Sequence, residues 1–460
     1  MSGPAPGRLP HRDGRRDRKP AIRLHRRRRP LIGLLAAALL AAPTAAAGQD
    51  GPVPRDGLHL PEVLERAREA NPRVRAAEAL ADAREVSRSW AGVLPDPRLQ
   101  LGMMNLSLPG LNADMPSSMA PSVQVAQSIP FPGKLGLEAD IARRTAEMAR
   151  ADAAESWWTI RARAGRIFWE IYAADRRLEV LRDTRDRLED FEITARSLYG
   201  AGTGRQTDVL QAQVEVARLG ADIARAEATR RAAASRLNAL LDRPARTPVA
   251  RPVAPALPAE LPGADTLARW AEAHRPAVER ERLRVRRAET RSERAGREIW
   301  PDLTLGAAYG QRSVAGDVQR MASFTVGFEL PIFAGRRQLR RRDEASAMAE
   351  MARAELAETR AEVDARIGEL VADLDRAREL IRLYREEVLP QARTTVESAF
   401  ASYRAGAVDF RTLVNAQTTL NRYEDELHRW VADYGGAVTE LETAVGRELP
   451  PSDPIPTETR

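Results

Sequence analysis

Residues Tyr199–Gln213 read YGAGTGRQTDVLQAQ, and 204 residues later Tyr403–Gln417 read YRAGAVDFRTLVNAQ. Tyr, Ala, Gly, Ala and Gln recur at the same five places. Each stretch places a glycine, Gly202 or Gly406, where a long apolar-periodic segment stops and another starts. That is the position at which a helix reverses and a positive φ is cheapest. Asp208 and Asp409 fall near the starts of the following segments, where a carboxylate can cap free backbone N–H groups. The two stretches therefore read as the tips of two helical hairpins.

The repeat extends outward from the tips. Asn71-Pro72 matches Arg275-Pro276 at the same offset of 204, and Leu241-Asp242-Arg243 matches Val445-Gly446-Arg447. LPDPRL (94–99) pairs with WPDLTL (300–305), and IPFPGK (129–134) with LPIFAGR (330–336). One long unit is present twice, unlike a short-period solenoid. The organisation expected is residues 48–243 for the first copy, a Pro-rich extended linker over 244–263, 264–447 for the second copy, and a tail over 448–460.

Within each copy the same order recurs. A helix of about 30 residues is expected first (Pro61 to Trp90, Ala264 to Ile299), then two short strands. The strand candidates are LQLGMMNLSL (99–108) and PSVQVAQSIPF (121–131), then DLTLGAAYGQ (302–311) and MASFTVGFELPI (321–332). In the last, Phe324, Val326, Phe328 and Leu330 alternate with Ser323, Thr325, Gly327 and Glu329, the period of a two-faced strand. Next comes a very long helix. From Lys134 to Tyr199 is 66 residues, roughly 100 Å at about 1.5 Å per residue. In the second copy Leu356, Val363, Leu370, Ala377 and Tyr384 form one seven-residue seam. Ile367, Leu374, Ile381 and Val388 form the other, as in coiled-coil packing. Return helices are expected over Thr207–Leu241 and Phe410–Val445.

The chain's net charge of +7 does not point to nucleic acid. Residues 1–47 carry eleven Arg and Lys against two Asp, so the remainder is −2. Those 47 residues read as a signal peptide: basic residues to Arg29, an apolar run from Leu31 to Leu40, and Ala45-Ala46-Ala47 at the cleavage site. With no cysteine in the chain, neither a disulfide framework nor a lipid on an N-terminal Cys is expected. No apolar run after Ala47 reaches the about 18 residues of a membrane-spanning helix, so any membrane span would be a β-barrel. Four strands cannot close one, since the smallest membrane barrels have about eight. Three chains would supply twelve, with two helical hairpins per chain ringed below.

The duplicated plan, with PDP, FPGK, VLPQA (388–392) and YRAG-x5-LVNAQ, resembles the TolC-type outer membrane efflux family over Leu58 to Arg447. The LPDPRL…IPFPGK pairing places it nearest the CusC- and CzcC-like heavy-metal branch. The fold this resemblance implies is mostly α with a small β part. Coiled-coil hairpins form an α-barrel, and four strands per chain enter a trimeric 12-stranded transmembrane β-barrel in the outer membrane, with a long periplasmic part. The partners implied are a homotrimer, a periplasmic adaptor, an inner membrane pump of the RND type and outer membrane lipid. By position, the aperture and docking residues would be Leu198, Tyr199, Gly202 and Asp208 in the first copy. In the second they would be Tyr403, Arg404, Gly406 and Asp409. At the places where TolC carries acidic side chains this chain has Thr412 and Asn415, and Asp409 would supply a ring of carboxylates instead, favouring cations.

Other signals point to no chemistry. No nucleophile elbow, phosphate loop, zinc-protease or dinucleotide motif is present, no enzyme is expected, and no cofactor or metal site is assigned. Acidic residues fall at helical spacing from arginines, as over Arg340 to Glu344, which makes solvated salt-bridged faces. Met103, Met104, Met115 and Met119 are soft donors of the kind that suit Cu(I), or side chains facing lipid. His59, His274 and His428 are scattered. Trp90 and Trp300 precede first strands, where an interfacial aromatic belt would put them and where ordinary packing at a helix–strand junction accounts for them equally well. The readings that compete with a channel are a periplasmic coiled-coil scaffold or adaptor and, within channels, type I protein secretion.

Overall fold

The structure, a computed structural model, describes residues 57–104, 119–314, 317–450 and 454–455. The expected signal peptide, Met115 and most of the C-terminal tail lie outside the described residues. No helix among those residues is long and apolar enough to cross a membrane.

Each copy begins with two helices where one was expected: α1 (Leu60–Ala70) and α2 (Pro72–Trp90), then α5 (Ala264–His274) and α6 (Pro276–Arg297). The cause is the proline. A residue before proline is pushed to extended backbone, and Asn71 and Arg275 have ψ of 121° and 117°. Proline is then well suited to open the next helix. Both break residues tie back to the end of a return helix. Asn71 caps the Arg73 N–H and donates Nδ2 to the Leu240 carbonyl at 2.9 Å. The Arg275 guanidinium donates to the Thr443 carbonyl and pairs with Glu155 at 2.6 Å.

β1 (Arg98–Met104) and β2 (Met119–Ile129) follow α2, and β4 (Leu303–Val314) and β5 (Asp317–Phe328) follow α6. They form one antiparallel sheet in the order β1-β2-β4-β5. β5 stops at Phe328, so Leu330 lies beyond the strand in which the sequence put it. The register aligns one apolar face across all four strands. Leu101 pairs with Val123, Val123 with Tyr309, Val125 with Ala307, Ala307 with Phe324, and Leu305 with Val326. Gln100, Gln124, Ser128, Thr304 and Thr325 point to the other face. Phe324 is 85% exposed.

The hairpins are long. α3 (Lys134–Gly200) has 67 residues and returns as α4 (Gln206–Leu240). In the second copy α7 (Gln338–Leu383), a π-turn (Tyr384–Val388) and α8 (Leu389–Arg404) run continuously over residues 338–404, again 67, and return as α9 (Phe410–Val445). The two seams hold up to Ile381: Ile367, Leu370, Leu374, Ala377 and Ile381 are buried. The next buried seam residue is Leu389, not Val388, followed by Val396 and Tyr403. The π-turn causes the one-residue slip. Pro390 has no N–H for the Glu386 carbonyl and its ring would crowd it, and the wider turn, in which Leu389 N–H bonds Tyr384 O, relieves that conflict.

α3 is the central element, packed by α4, α6 and α9. Phe168, Trp169 and Tyr172 fill its middle, with edge-to-face rings 5.5 and 5.4 Å apart. α9 approaches closely because Gly435 lies against Trp169 and Gly165 against Thr439. The Pro-rich segment over 244–263 is docked against the rest of the chain. Leu58 N–H donates to the Arg251 carbonyl and the Leu58 carbonyl accepts from Val253 N–H, the Tyr434 hydroxyl donates to the Pro258 carbonyl, and β3 (Leu257–Pro258) pairs with β6 (Pro454–Ile455).

Candidate functional site

The two hairpin tips are built alike. α3 ends with Gly202 at φ 75°, its N–H bonded to Tyr199 O, and with Thr203 N–H bonded to Leu198 O. Gly406 at φ 72° bonds Tyr403 O, and Ala407 N–H bonds Ser402 O. Both are 5→2 and 6→1 closures around a left-handed residue, the Schellman geometry. A Cβ at either glycine would meet only open space, so the positive φ alone requires glycine.

The two aspartates differ. Asp409 is the N-cap of α9: its Oδ1 accepts the Thr412 N–H at 2.8 Å and the Thr412 hydroxyl at 2.6 Å. Those bonds hold its carboxyl below the usual carboxylate range. Asp208 does not cap α4, whose N-cap is Arg205. It sits in the first turn, and its Oδ2 accepts the Tyr403 hydroxyl at 3.3 Å. That bond ties the first hairpin to the second. Tyr403 is buried edge-to-face against Phe410, 5.4 Å between centroids. Burial, reinforced by the Asp208 charge, pushes its hydroxyl up to about 12.

Of the other residues, Leu198 is half-buried and lends its carbonyl to Thr203 and Gly204. Tyr199 and Asn415 are exposed and join neither pair. Arg404 lies 6.0 Å from the Phe400 ring. Phe400 stacks on Phe191 of α3 at 5.0 Å, a second bridge between hairpins. The sequence reading missed this pair, although Leu181, Leu188, Phe191 and Ala195 sit at the three-, four- and seven-residue spacing of a seam.

Outside the tips, Phe131 stacks on Trp300 at 5.2 Å beneath the sheet, while Trp90 is exposed. Met103 lies on the exposed apolar side of β1. The side chains of Met104 and Met119 fall outside the described ones. Among the described residues no cluster of three or more His, Cys, Asp or Glu is arranged to hold a metal ion. His428 is lowered to about 4 by burial and the nearby Arg176.

Long paired helices thus carry a two-faced sheet whose edge strands β1 and β5 pair with no other strand among the described residues. The sequence profile of the outer membrane efflux proteins matches residues 63–243 and 267–447, and the chain belongs to that family of outer membrane efflux channels. No curated protein matches it. Among solved structures it is similar to CusC (TM-score 0.73, 16% identity, 84% of this chain and 92% of that one). It is also similar to VceC of Vibrio cholerae (0.72, 17%, 85% and 96%) and to the open state of the MtrE channel of Neisseria gonorrhoeae (0.68, 16%, 87% and 91%). CusC does not stand apart from the others in identity, so these likenesses carry the fold and not the metal branch.

Proposed function

We propose that three copies of this chain form one outer membrane channel, passively conducting solutes delivered by a periplasmic adaptor and an inner membrane pump. The observation that carries the reading is the sheet. Its apolar face is exposed from Leu101 to Phe324, and its two edges, β1 and β5, have no strand partner among the described residues. Open edges and an uncovered apolar face are unstable in water and impossible in lipid unless the sheet closes. A periplasmic scaffold or adaptor has no use for such a face. Cell fractionation with mild-detergent extraction tests the reading. The expected product is a detergent-requiring trimer of the mature chain, and a water-soluble monomer would overturn it.

The tips are the closing end of the conduit and the surface offered to the adaptor. Tyr403–Asp208 and Phe191–Phe400 hold the two hairpins of one chain together there. Metal cations are among the proposed solutes, on the strength of the LPDPRL…IPFPGK pairing. Growth of a deletion strain on copper or zinc against growth on detergents and dyes separates metal efflux from drug efflux.

A further inference from the structure

We propose that the arginines opening α7 bind the phosphate of an anionic glycerophospholipid in the leaflet nearest the helices, one site per chain. The inference rests on the membrane reading of the sheet. Where β5 ends, Leu330, Ile332 and Phe333 stand exposed, Ile332 by 79%. They continue the apolar face toward the helices. Immediately after them come Arg336, Arg337, Arg340, Arg341 and Arg342 against Asp343 and Glu344, five cations to two carboxylates. Apolar side chains at the bilayer edge followed by clustered arginines match a lipid's acyl region and its phosphate in the same order.

The arginines are not all needed by the fold. Arg341 pairs with Glu298 at 3.3 Å, and Arg340 and Arg342 reach Asp343 at 3.4 and 3.2 Å. Arg336 and Arg337 have no ion-pair partner among the described residues. The first copy supplies the control. Aligned through FPGK and FAGR, it builds the same 67-residue helix with Lys134 at the position of Arg336, and with Leu135, Glu138, Ala139 and Asp140 at those of the other four, one cation against two carboxylates. Arg337 also lines a cavity of about 290 Å³ walled by Trp300, Leu330, Ile332 and Phe333, whose polar side carries Lys134, Arg294 and Arg341 against Glu298, Asp302 and Glu329, so that with Arg337 the cations outnumber the carboxylates by one. Lys134 is held there by Asp302 at 2.7 Å. A guanidinium fork in such a setting engages phosphate oxygens bidentately.

Native mass spectrometry of the purified full-chain complex decides it, in detergent doped with dioleoyl-phosphatidylglycerol or dioleoyl-phosphatidylcholine. The expected result is phosphatidylglycerol adducts saturating at one per chain and preferred over phosphatidylcholine. R336Q/R337Q should weaken them about tenfold, and R336K/R337K should restore most of the loss. Inorganic phosphate at millimolar concentration should not displace the lipid. Equal binding of the two lipids, or unchanged binding by R336Q/R337Q, overturns the site, and displacement by inorganic phosphate overturns the lipid as its ligand. The wild-type comparison stands even if a variant misfolds. A detergent-requiring trimer with no lipid preference defeats this inference alone, whereas a water-soluble monomer defeats the channel reading beneath it.

Discussion

The carboxylate of Asp409 is already engaged by two donors from Thr412, so its first role is to start α9. Its charge remains, and the two roles can be separated. Asp409→Asn keeps a cap and removes the charge. Asp409→Ala removes both. We expect the Ala variant to melt at lower temperature than the Asn variant. If Asp409 also lines the pore, both variants should lose cation preference in planar bilayers to the same degree. A capping carboxylate with a lowered folded pKa stabilises fully above the ordinary carboxylate range and loses that contribution as pH falls through its folded value. The wild-type advantage over Asp409→Asn should therefore persist at neutral pH and vanish only in acid below the range of a free aspartate. Tyr403 behaves oppositely. Its raised value means that the neutral hydroxyl is favoured, so the bond to Asp208 holds throughout the physiological range and weakens only as pH rises through about 12. Tyr403→Phe deletes that bond, a loss of about 1 kcal/mol. Single-channel recordings should show a higher open fraction, and an unchanged fraction would assign the latch to Phe191–Phe400. The sequence located Asp208, Tyr403, Asp409 and Thr412 but not Phe191 and Phe400. It could not divide the work between Asp208 and Asp409, because one contacts a residue 195 positions away.

At the scale of elements, what was legible depended on whether the cause was local. The tips, the long helices and the strand pairs follow from glycine placement and periodicity, which act over a few residues. The seam after Ile381 was misread by one residue because a seven-residue count assumes uninterrupted α-helix, and Pro390 breaks that assumption. The split at Asn71 and Arg275 follows from Pro72 and Pro276, whose effect on the preceding residue outweighs the helical pattern around them. Helix spacing was not legible at all. α9 can lie against α3 only because position 435 lacks a side chain, since an added Cβ would fall 2.1 Å from Trp169 Cε2. Its neighbour Gly436 meets nothing within 4 Å. Gly435→Ala should thus cost about 2 kcal/mol through overpacking, while Gly436→Ala should be neutral or stabilise by up to about 1 kcal/mol through helix propensity. Thermal melting of both variants checks the pair. Equal effects would mean that α3 and α9 are not held at this distance.

For the whole molecule, the open sheet is the decisive feature, and its closure can be read chemically because the chain has no cysteine of its own. Within one chain β1 and β5 are separated by β2 and β4, roughly 14 Å at about 4.8 Å per strand step. A disulfide requires Cα atoms within about 7 Å, so cysteines on the two edge strands cannot join inside one chain. Between chains they can, because β5 of one copy and β1 of the next run antiparallel when the sheet continues around a ring. Leu99→Cys or Leu101→Cys on β1, combined with Phe324→Cys, Val326→Cys or Phe328→Cys on β5, samples the registers on the shared apolar face. In the best-registered pair, mild oxidation in the membrane should give a reducible ladder that stops at three chains. Single-cysteine variants should give none. A ladder that runs past three would mean a different ring size, and its absence in every pair would mean that the edges are covered by something other than another copy of this chain.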